Sequence, residues 1–323
     1  MAEFTPGLVT VFGGSGFVGS QVVRALAQQG WRIRVAVRRP GRAHALMTQG
    51  HVGQIQSVRC DITDPAAVAR ALRGADAVVN LVGILAEGPS RKFKALHVEG
   101  SRIIAEASVV AGVTRLVQMS ALGADAASKA EYGRTKAEAE VAVRAVRPDA
   151  VIIRPSIIFG PGDNFLNKFA TLSGFAPALP LIGGGQTKFQ PVYVGDVAEA
   201  IARAVARVDA AGRTFELGGP SVWAFEDILK LIGRETNRPR ALLPIPFPVA
   251  RLMGAVAQLT AFVGITPQLT RDQVLMLQSD NVVSPDAEGL AALGIQPTGL
   301  EAIAPSYLWR YRKGGQFADR PAT

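Results

Sequence analysis

The chain has 323 residues and a formal net charge of +9; at 48% hydrophobic and 19% charged it reads as globular rather than disordered, with enough apolar material for one large or two modest cores. Its single cysteine, Cys60, cannot form an internal disulfide, which fits a reducing compartment, and with His44, His51 and His97 it shows no metal-ligand spacing, so no metal is expected. The positive excess is mostly arginine and suits an anionic membrane or an acidic or phosphate-bearing ligand; no basic run is interleaved with aromatics, so nucleic acid is not expected as a partner.

In chain order, "MAEFTPGLVTVF" runs into an apolar strand with no basic n-region and no Arg/Ser-rich presequence, so no leader is expected. A helical pattern covers 19–29, and "RIRVAVRR" (32–39) is β-rich. "IQSVRCDIT" (55–63) reads as a third strand, and Asp64-Pro65 opens a capped helix over 65–73. "ADAVVNLVG" (75–83) is a fourth strand and 93–112 a helix. "RLVQMSA" (115–121) is a fifth strand, 129–147 a long helix, and "AVIIRPSIIFG" (150–160) a sixth strand. Buried Val- and Ile-rich runs, each followed by a helix, predict an α/β fold with a doubly wound parallel sheet covered on both faces.

After Gly160 the alternation breaks. Pro, Gly and Phe are frequent over 161–191, "QPVYVGDVAEAIARAVAR" (190–207) returns toward the main sheet, and 216–323 is mixed and proline-rich. The expected division is a nucleotide-binding domain of 1–165 and 190–215, and a smaller mixed C-terminal lobe of 166–189 and 216–323. The apolar stretch "FPVARLMGAVAQLTAFV" (247–263) carries Arg251, Gln258 and Thr260. Its uninterrupted part is shorter than the ~20 residues of a spanning helix, so a core or interfacial helix is expected.

The first strand hands over to the first helix through "GGSGFVG", with glycines at 13, 16 and 19. Gly13 suits a tight turn, Gly16 a close approach of a pyrophosphate to the backbone, and Gly19 close packing of helix on sheet. The new helix offers free N–H groups and a partial positive charge to phosphates. An acid about 20 residues on would select NAD; here Arg38 and Arg39 end the second strand, with Arg42 close by. Guanidinium suits a 2′-phosphate, so NADP(H) is expected. Asp61 and Ile62, closing the third strand, are placed for the adenine edge. "YGRTK" at 132–136 puts Tyr132 and Lys136 on one helical face. An ammonium beside a phenol favours phenolate, which could exchange a proton with a substrate while nicotinamide moves a hydride.

These motifs, with "DITD" (61–64), "NLVG" (80–83), "RPSIIFGPGD" (154–163) and "PVYVGDVAEAI" (191–201), resemble the extended and atypical short-chain dehydrogenase/reductases over residues 7–215. The resemblance implies a Rossmann sheet, with Tyr132 and Lys136 as catalytic pair and Ser120 as substrate-orienting hydroxyl. It implies coenzyme contacts at Gly13, Ser15, Gly16, Phe17, Val18, Gly19, Arg38, Arg39, Asp61, Ile62, Leu81, Val82, Gly83, Tyr132, Lys136, Pro155 and Ile157. Two departures stand out. Ser120 ends the fifth strand, and alignment as in sugar-nucleotide epimerases would put the catalytic hydroxyl near Leu122. The helix asparagine of many members is replaced by His97, either as a proton relay or as a satisfied structural histidine.

The C-terminal segments "LTRDQVLMLQSDNVV" (269–283), "LAALGIQPTGLE" (290–301) and "PSYLWRYRKGG" (305–315) resemble the NADPH-binding accessory subunits of respiratory complex I, NADH:ubiquinone oxidoreductase, in their alphaproteobacterial form. That resemblance implies NADPH held without turnover, other complex I subunits as partners, contact with membrane lipid, and a peripheral place on the cytoplasmic face of the bacterial inner membrane. Tyr307, Trp309, Arg310, Tyr311 and Arg312 are of types enriched at interfaces, or else close the small lobe's own core. The alternatives are an active NADP-dependent reductase, epimerase or dehydratase and a non-catalytic NADP sensor.

Overall fold

The computed structural model describes residues 6–88, 91–258 and 269–318. The chain divides into two compact units, the first of Met1–Arg154, Gly195–Glu216 and Asp286–Ile295, the second of Pro155–Val194, Leu217–Pro285 and Gln296–Thr323.

The strands are β1 (Leu8–Phe12), β2 (Arg32–Val37), β3 (Ile55–Arg59), β4 (Ala77–Asn80), β5 (Arg115–Met119), β6 (Val151–Pro155), β7 (Ile158–Phe159), β8 (Ala178–Ile182), β9 (Lys188–Phe189), β10 (Val192–Tyr193), β11 (Thr214–Leu217), β12 (Trp223–Ala224) and β13 (Ala241–Ile245). Among the described residues the α-helices are α1 (Phe17–Gln28), α2 (Pro65–Leu72), α3 (Gly100–Val110), α4 (Glu131–Val146), α5 (Leu166–Phe175), α6 (Val194–Ala206), α7 (Phe225–Glu235), α8 (Phe247–Gln258), α9 (Arg271–Met276), α10 (Leu300–Ile303) and α11 (Pro305–Leu308).

The first unit is built on a seven-stranded sheet in the order β11-β6-β5-β4-β1-β2-β3. β1 pairs in parallel with β2 on one side and β4 on the other, so chain order reverses at β1. Its carboxyl edge therefore opens a crevice, where open α/β sheets take ligands. One core layer packs α2 and α3 residues such as Val68, Leu72, Ile104 and Ala105 onto Phe12, Val78 and Leu116. Asp64 caps α2 as expected, its Oδ1 accepting from Ala66 N (2.9 Å) and Ala67 N (3.2 Å), a cap worth about 1 kcal/mol.

Three elements differ from the sequence reading. Helix 93–112 opens with a π-helical turn at Lys94–Glu99 before α3. The sixth strand is two pieces: β6 stays in the main sheet, while β7 pairs with β10 instead. Asp286–Ile295 joins the first unit because arginines of α6 and beyond grip its backbone. Arg203 donates to Leu293 O (3.0 Å) and Gly294 O (2.8 Å), and Arg207 to Ala292 O (3.1 Å).

The second unit packs α5, α7 and β8 around Phe159, Phe169, Phe189 and Phe225. Asp163 organises it: its carboxylate accepts from Phe165 N (2.8 Å), Leu166 N (2.6 Å) and the Tyr307 hydroxyl (2.8 Å). Burial and that carboxylate push the Tyr307 phenol far above its ordinary range. The tail is thereby turned inward. Tyr307 and Arg312 are buried, Arg312 donating to Glu235 O (2.7 Å), and Trp309 and Arg310 face solvent. Tyr307, Tyr311 and Arg312 thus close the unit's own core. Of the apolar stretch 247–263, residues 247–258 form α8, and 259–263 lie outside the described residues.

Candidate functional site

The three glycines of the first turn do three different things. Gly13 has φ of +80°, a backbone that side-chain-bearing residues adopt only under strain, and its N–H donates to Ala36 O (3.2 Å), tying the turn to β2. A Cβ on Gly19 would lie 2.3 Å from Gly13 O and 2.6 Å from Gly14 Cα, so α1 reaches the turn only because the side chain is missing. Gly16 is exposed, and a Cβ there would meet nothing but Gly13 O, at 3.3 Å. Its outer side is open space that backbone alone borders. Gly16 is the N-cap of α1 with no side-chain cap, and the first turn holds no acid. As the first two residues of α1, Phe17 and Val18 have N–H groups with no acceptor inside the helix, and the positive end of the helix dipole lies at this turn. Ser15 is half-buried beside them. The arrangement fits a pyrophosphate.

Next to the turn, Arg38 and Arg39 leave the end of β2 into solvent, and Arg42 is exposed in the 3₁₀ segment Pro40–Gln49. Among the described residues no carboxylate pairs with any of the three. Cys60 N donates to Val37 O (2.9 Å), bringing the exit of β3 alongside. There the Asp61 carboxylate accepts from Thr63 N (3.1 Å) and Thr63 Oγ1 (2.8 Å), turning the chain into α2. The Ile62 side chain is buried in the core, so only its backbone is left to border a ligand.

On the other side of β1, Leu81 N donates to Phe12 O (3.0 Å). A Cβ on Gly13 would touch Leu81 C and Val82 at 3.3 Å, so the first turn and the 81–83 loop are in contact. Asn80 holds this loop. Its Oδ1 accepts from Val82 N (3.1 Å), and its Nδ2 donates to Gln118 Oε1 (2.9 Å) and Ser101 Oγ (3.1 Å), linking β4, β5 and α3.

The first two turns of α4 carry Tyr132, half-buried, and Lys136, 5% exposed. Lys136 Nζ lies 5.8 Å from the Tyr132 ring centroid and donates to Met119 O (3.3 Å). Burial lowers the Lys136 ammonium to about 8, against the opposing pull of Glu140. Glu140 is itself held by two bonds from Arg154, at 2.6 and 2.9 Å. Ser120, 3% exposed, follows β5; its N–H donates to Ile153 O (2.7 Å) and its Oγ has no partner among the described residues. Leu122 is buried. Pro155 is the last residue of β6, and both it and Ile157 belong to the second unit. Among the described residues no group of three His, Cys, Asp or Glu could hold a metal ion.

A glycine turn, a pair of guanidiniums with no carboxylate partner among the described residues and a Tyr-Lys pair therefore share the carboxyl edge of one parallel sheet. The model of the NAD dependent epimerase/dehydratase family matches residues 9–218. Subunit 9 of the NADH dehydrogenase [ubiquinone] 1 alpha subcomplex, mitochondrial, of Rattus norvegicus is 37% identical over 308 residues, covering 94% of this chain and 80% of the rat protein. The chain belongs to the NAD dependent epimerase/dehydratase family, and within it to the family of alpha subcomplex subunit 9. A ceramide reductase of Caulobacter vibrioides is 34% identical over 198 residues, 61% of either chain. The NADPH-dependent quinone oxidoreductase QOR2 of Escherichia coli shares the fold at a TM-score of 0.73 and 20% identity, covering 93% of this chain and 99% of that one.

In this subunit 9 relative, several residues that shape the site escaped the sequence reading. Asn80 was quoted only as part of a motif. Its signal is a carboxamide at the end of an otherwise apolar strand, where an unpaired amide would be costly. Thr135 and Phe93 gave no signal, because what they do depends on where His97 lies.

Proposed function

We propose that this chain is an NADPH-binding accessory subunit of respiratory complex I that holds its coenzyme as a structural part. The relationship to the rat subunit across 94% of the chain supports the assembly. The two free guanidiniums at Arg38 and Arg39, where an NAD site would carry an acid, support NADPH over NADH. Gly13, Ser15, Gly16, Phe17, Val18 and Gly19 would take the pyrophosphate, Asp61 and Ile62 the adenine edge, and Leu81, Val82 and Gly83 the middle of the coenzyme. Tyr132 and Lys136 would hold the nicotinamide ribose. When bound, the coenzyme could in principle supply a hydride. A structural role is favoured because Leu122 offers no hydroxyl and the Ser120 hydroxyl is buried at the strand end. Coenzyme bound only by the folded chain stabilises it by mass action.

The place we propose is the cytoplasmic face of a bacterial inner membrane, near the junction of the peripheral and membrane arms. Among the described residues no helix is long and apolar enough to cross a membrane. α8, however, exposes Val249, Leu252, Met253 and Val256 along one face, with Arg251 exposed beside them. From Thr236 to Arg271 the sequence holds four arginines and no acid. That combination suits the interface of an anionic lipid surface. The test is isolation of the native complex in mild detergent: the chain should migrate with complex I and carry one NADPH, identified by absorbance and mass. Migration alone, free of the complex, would overturn this reading.

The second reading is an active reductase. It is favoured by the Tyr132–Lys136 pair and by the ceramide reductase relative. Oxidation of bound NADPH by a carbonyl compound, lost in Tyr132→Phe, would establish it.

A further inference from the structure

His97 uses both ring nitrogens, and each bond goes to a different wall of the site. Nε2 lies 3.1 Å from Ile84 N and Nδ1 3.0 Å from Thr135 Oγ1. A backbone N–H only donates, so Nε2 is the acceptor. The Thr135 hydroxyl donates to Glu131 O (2.9 Å) and also faces Tyr132 O (3.2 Å), so toward the ring it presents lone pairs. Nδ1 therefore carries the proton. The tautomer is set from both sides, and neither nitrogen is left to pass a proton onward.

The ring is 1% exposed. It packs on Phe93 (centroids 5.3 Å apart) and meets Tyr132 edge-on at 5.6 Å, while Phe93 meets Tyr132 edge-on at 6.1 Å. Tyr132 is thus braced by two rings. A Cβ on Gly83 would come within 3.6 Å of His97 Nε2 and 3.3 Å of Lys136 Nζ, so the loop, the imidazole and the lysine converge at one point. The π-helical turn Lys94–Glu99 carries His97; such turns recur at functional sites. Burial, reinforced by the Lys136 ammonium, holds the imidazole down at about 3, so it stays neutral at any working pH.

We propose that His97 is a positioning residue: it clamps the Gly83–Ile84 loop to the Tyr132–Lys136 helix and thereby sets how firmly the nicotinamide end of the coenzyme is held. This rests on the reading of the site as an NADPH site. A proton relay through His97 is ruled out by the same two bonds, since each nitrogen is already committed.

The test combines coenzyme release with a spectroscopic readout. In the intact chain with NADPH bound, His97→Leu should speed NADPH dissociation about tenfold or more, followed by coenzyme fluorescence. Thr135→Val removes one bond from the other side and should produce a similar rise. The double variant should release NADPH no faster than the faster single variant, because one clamp is broken either way. In ¹⁵N-histidine NMR spectra of the wild type, His97 should stay neutral with the proton on Nδ1 from pH 5 to 8. Multiplicative effects in the double variant, unchanged release in Thr135→Val, or an imidazolium or Nε2–H signal would each overturn the clamp. A wild-type protein that retains no NADPH would overturn the coenzyme reading instead, and the NMR measurement would still decide the tautomer.

Discussion

At the scale of single residues, charge and burial decide more than residue type. On the proposed reading, Arg38 and Arg39 distinguish the two nicotinamide coenzymes. Each charge-assisted bond to a 2′-phosphate is worth about 1.5–3 kcal/mol. Replacing both by alanine should weaken NADPH binding at least about ten- to hundredfold and leave NADH binding unchanged, as read by fluorescence titration with both coenzymes; equal losses would remove the assignment. These arginines were legible because a strand-end position and the absence of an acid are both visible in sequence. Lys136 was legible as half of a motif, but its burial was not. Its folded value of about 8 lies below the 10.5 of an exposed lysine. Between those values the unfolded chain keeps a proton that the folded chain has released, so on this group's account stability rises with pH across that window. Urea unfolding of the coenzyme-free protein from pH 7.5 to 10 should show the wild type gaining on Lys136→Met; a difference flat in pH would contradict it.

At the scale of elements, the glycine turn separates folding from binding on the proposed reading. Gly19→Ala forces a methyl to 2.3 Å from a carbonyl oxygen, an overpacking that should cost about 1–3 kcal/mol or more. Gly16→Ala brings its methyl against Gly13 O alone, at 3.3 Å, so stability of the coenzyme-free protein should fall by no more than about 1 kcal/mol, while on the proposed reading NADPH affinity drops at least tenfold. Urea titration and coenzyme titration of the two variants should therefore rank them in opposite orders. Strands such as β1, β2, β4 and β6 were readable because each is a short run rich in Val and Ile, and α2 because Asp64 supplies its own start signal. The break in the sixth strand was not readable. Apart from Arg154 and Ser156, "RPSIIFG" is apolar, and the partner of its second piece, β10, lies more than thirty residues on. The π-helical turn before α3 was hidden for a similar reason. "KALHVE" has ordinary helical composition, and its His97 is bonded to Ile84 and Thr135, distant in sequence.

At the scale of the whole molecule, the exposed apolar face of α8 is the feature that internal packing leaves over. On the proposed reading this exposed apolar stripe, with Arg251 beside it, is what meets lipid. Leu252→Glu with Val256→Glu should leave the unfolding free energy within about 0.5 kcal/mol per site, because both side chains are already in solvent. The same variant should lose co-sedimentation with vesicles containing phosphatidylglycerol. A wild type that ignores such vesicles would show that lipid is not what α8 meets. The tail teaches the opposite lesson. Tyr307 and Arg312 are of interface-prone types, yet Asp163 and Glu235 draw them inward.

The parallel sheet, the glycine turn after β1, the guanidinium pair at the end of β2 and the Tyr-Lys helix were all legible in the amino-acid order, because each depends on short-range periodicity or on residues a few positions apart. Only the tertiary structure decided that His97 bridges a loop and a helix, that the tail turns inward, that Asp286–Ile295 returns to the first unit, and that α8 keeps an uncovered face. Those outcomes depend on which distant donors and acceptors meet once water is excluded, and no local pattern encodes such pairings.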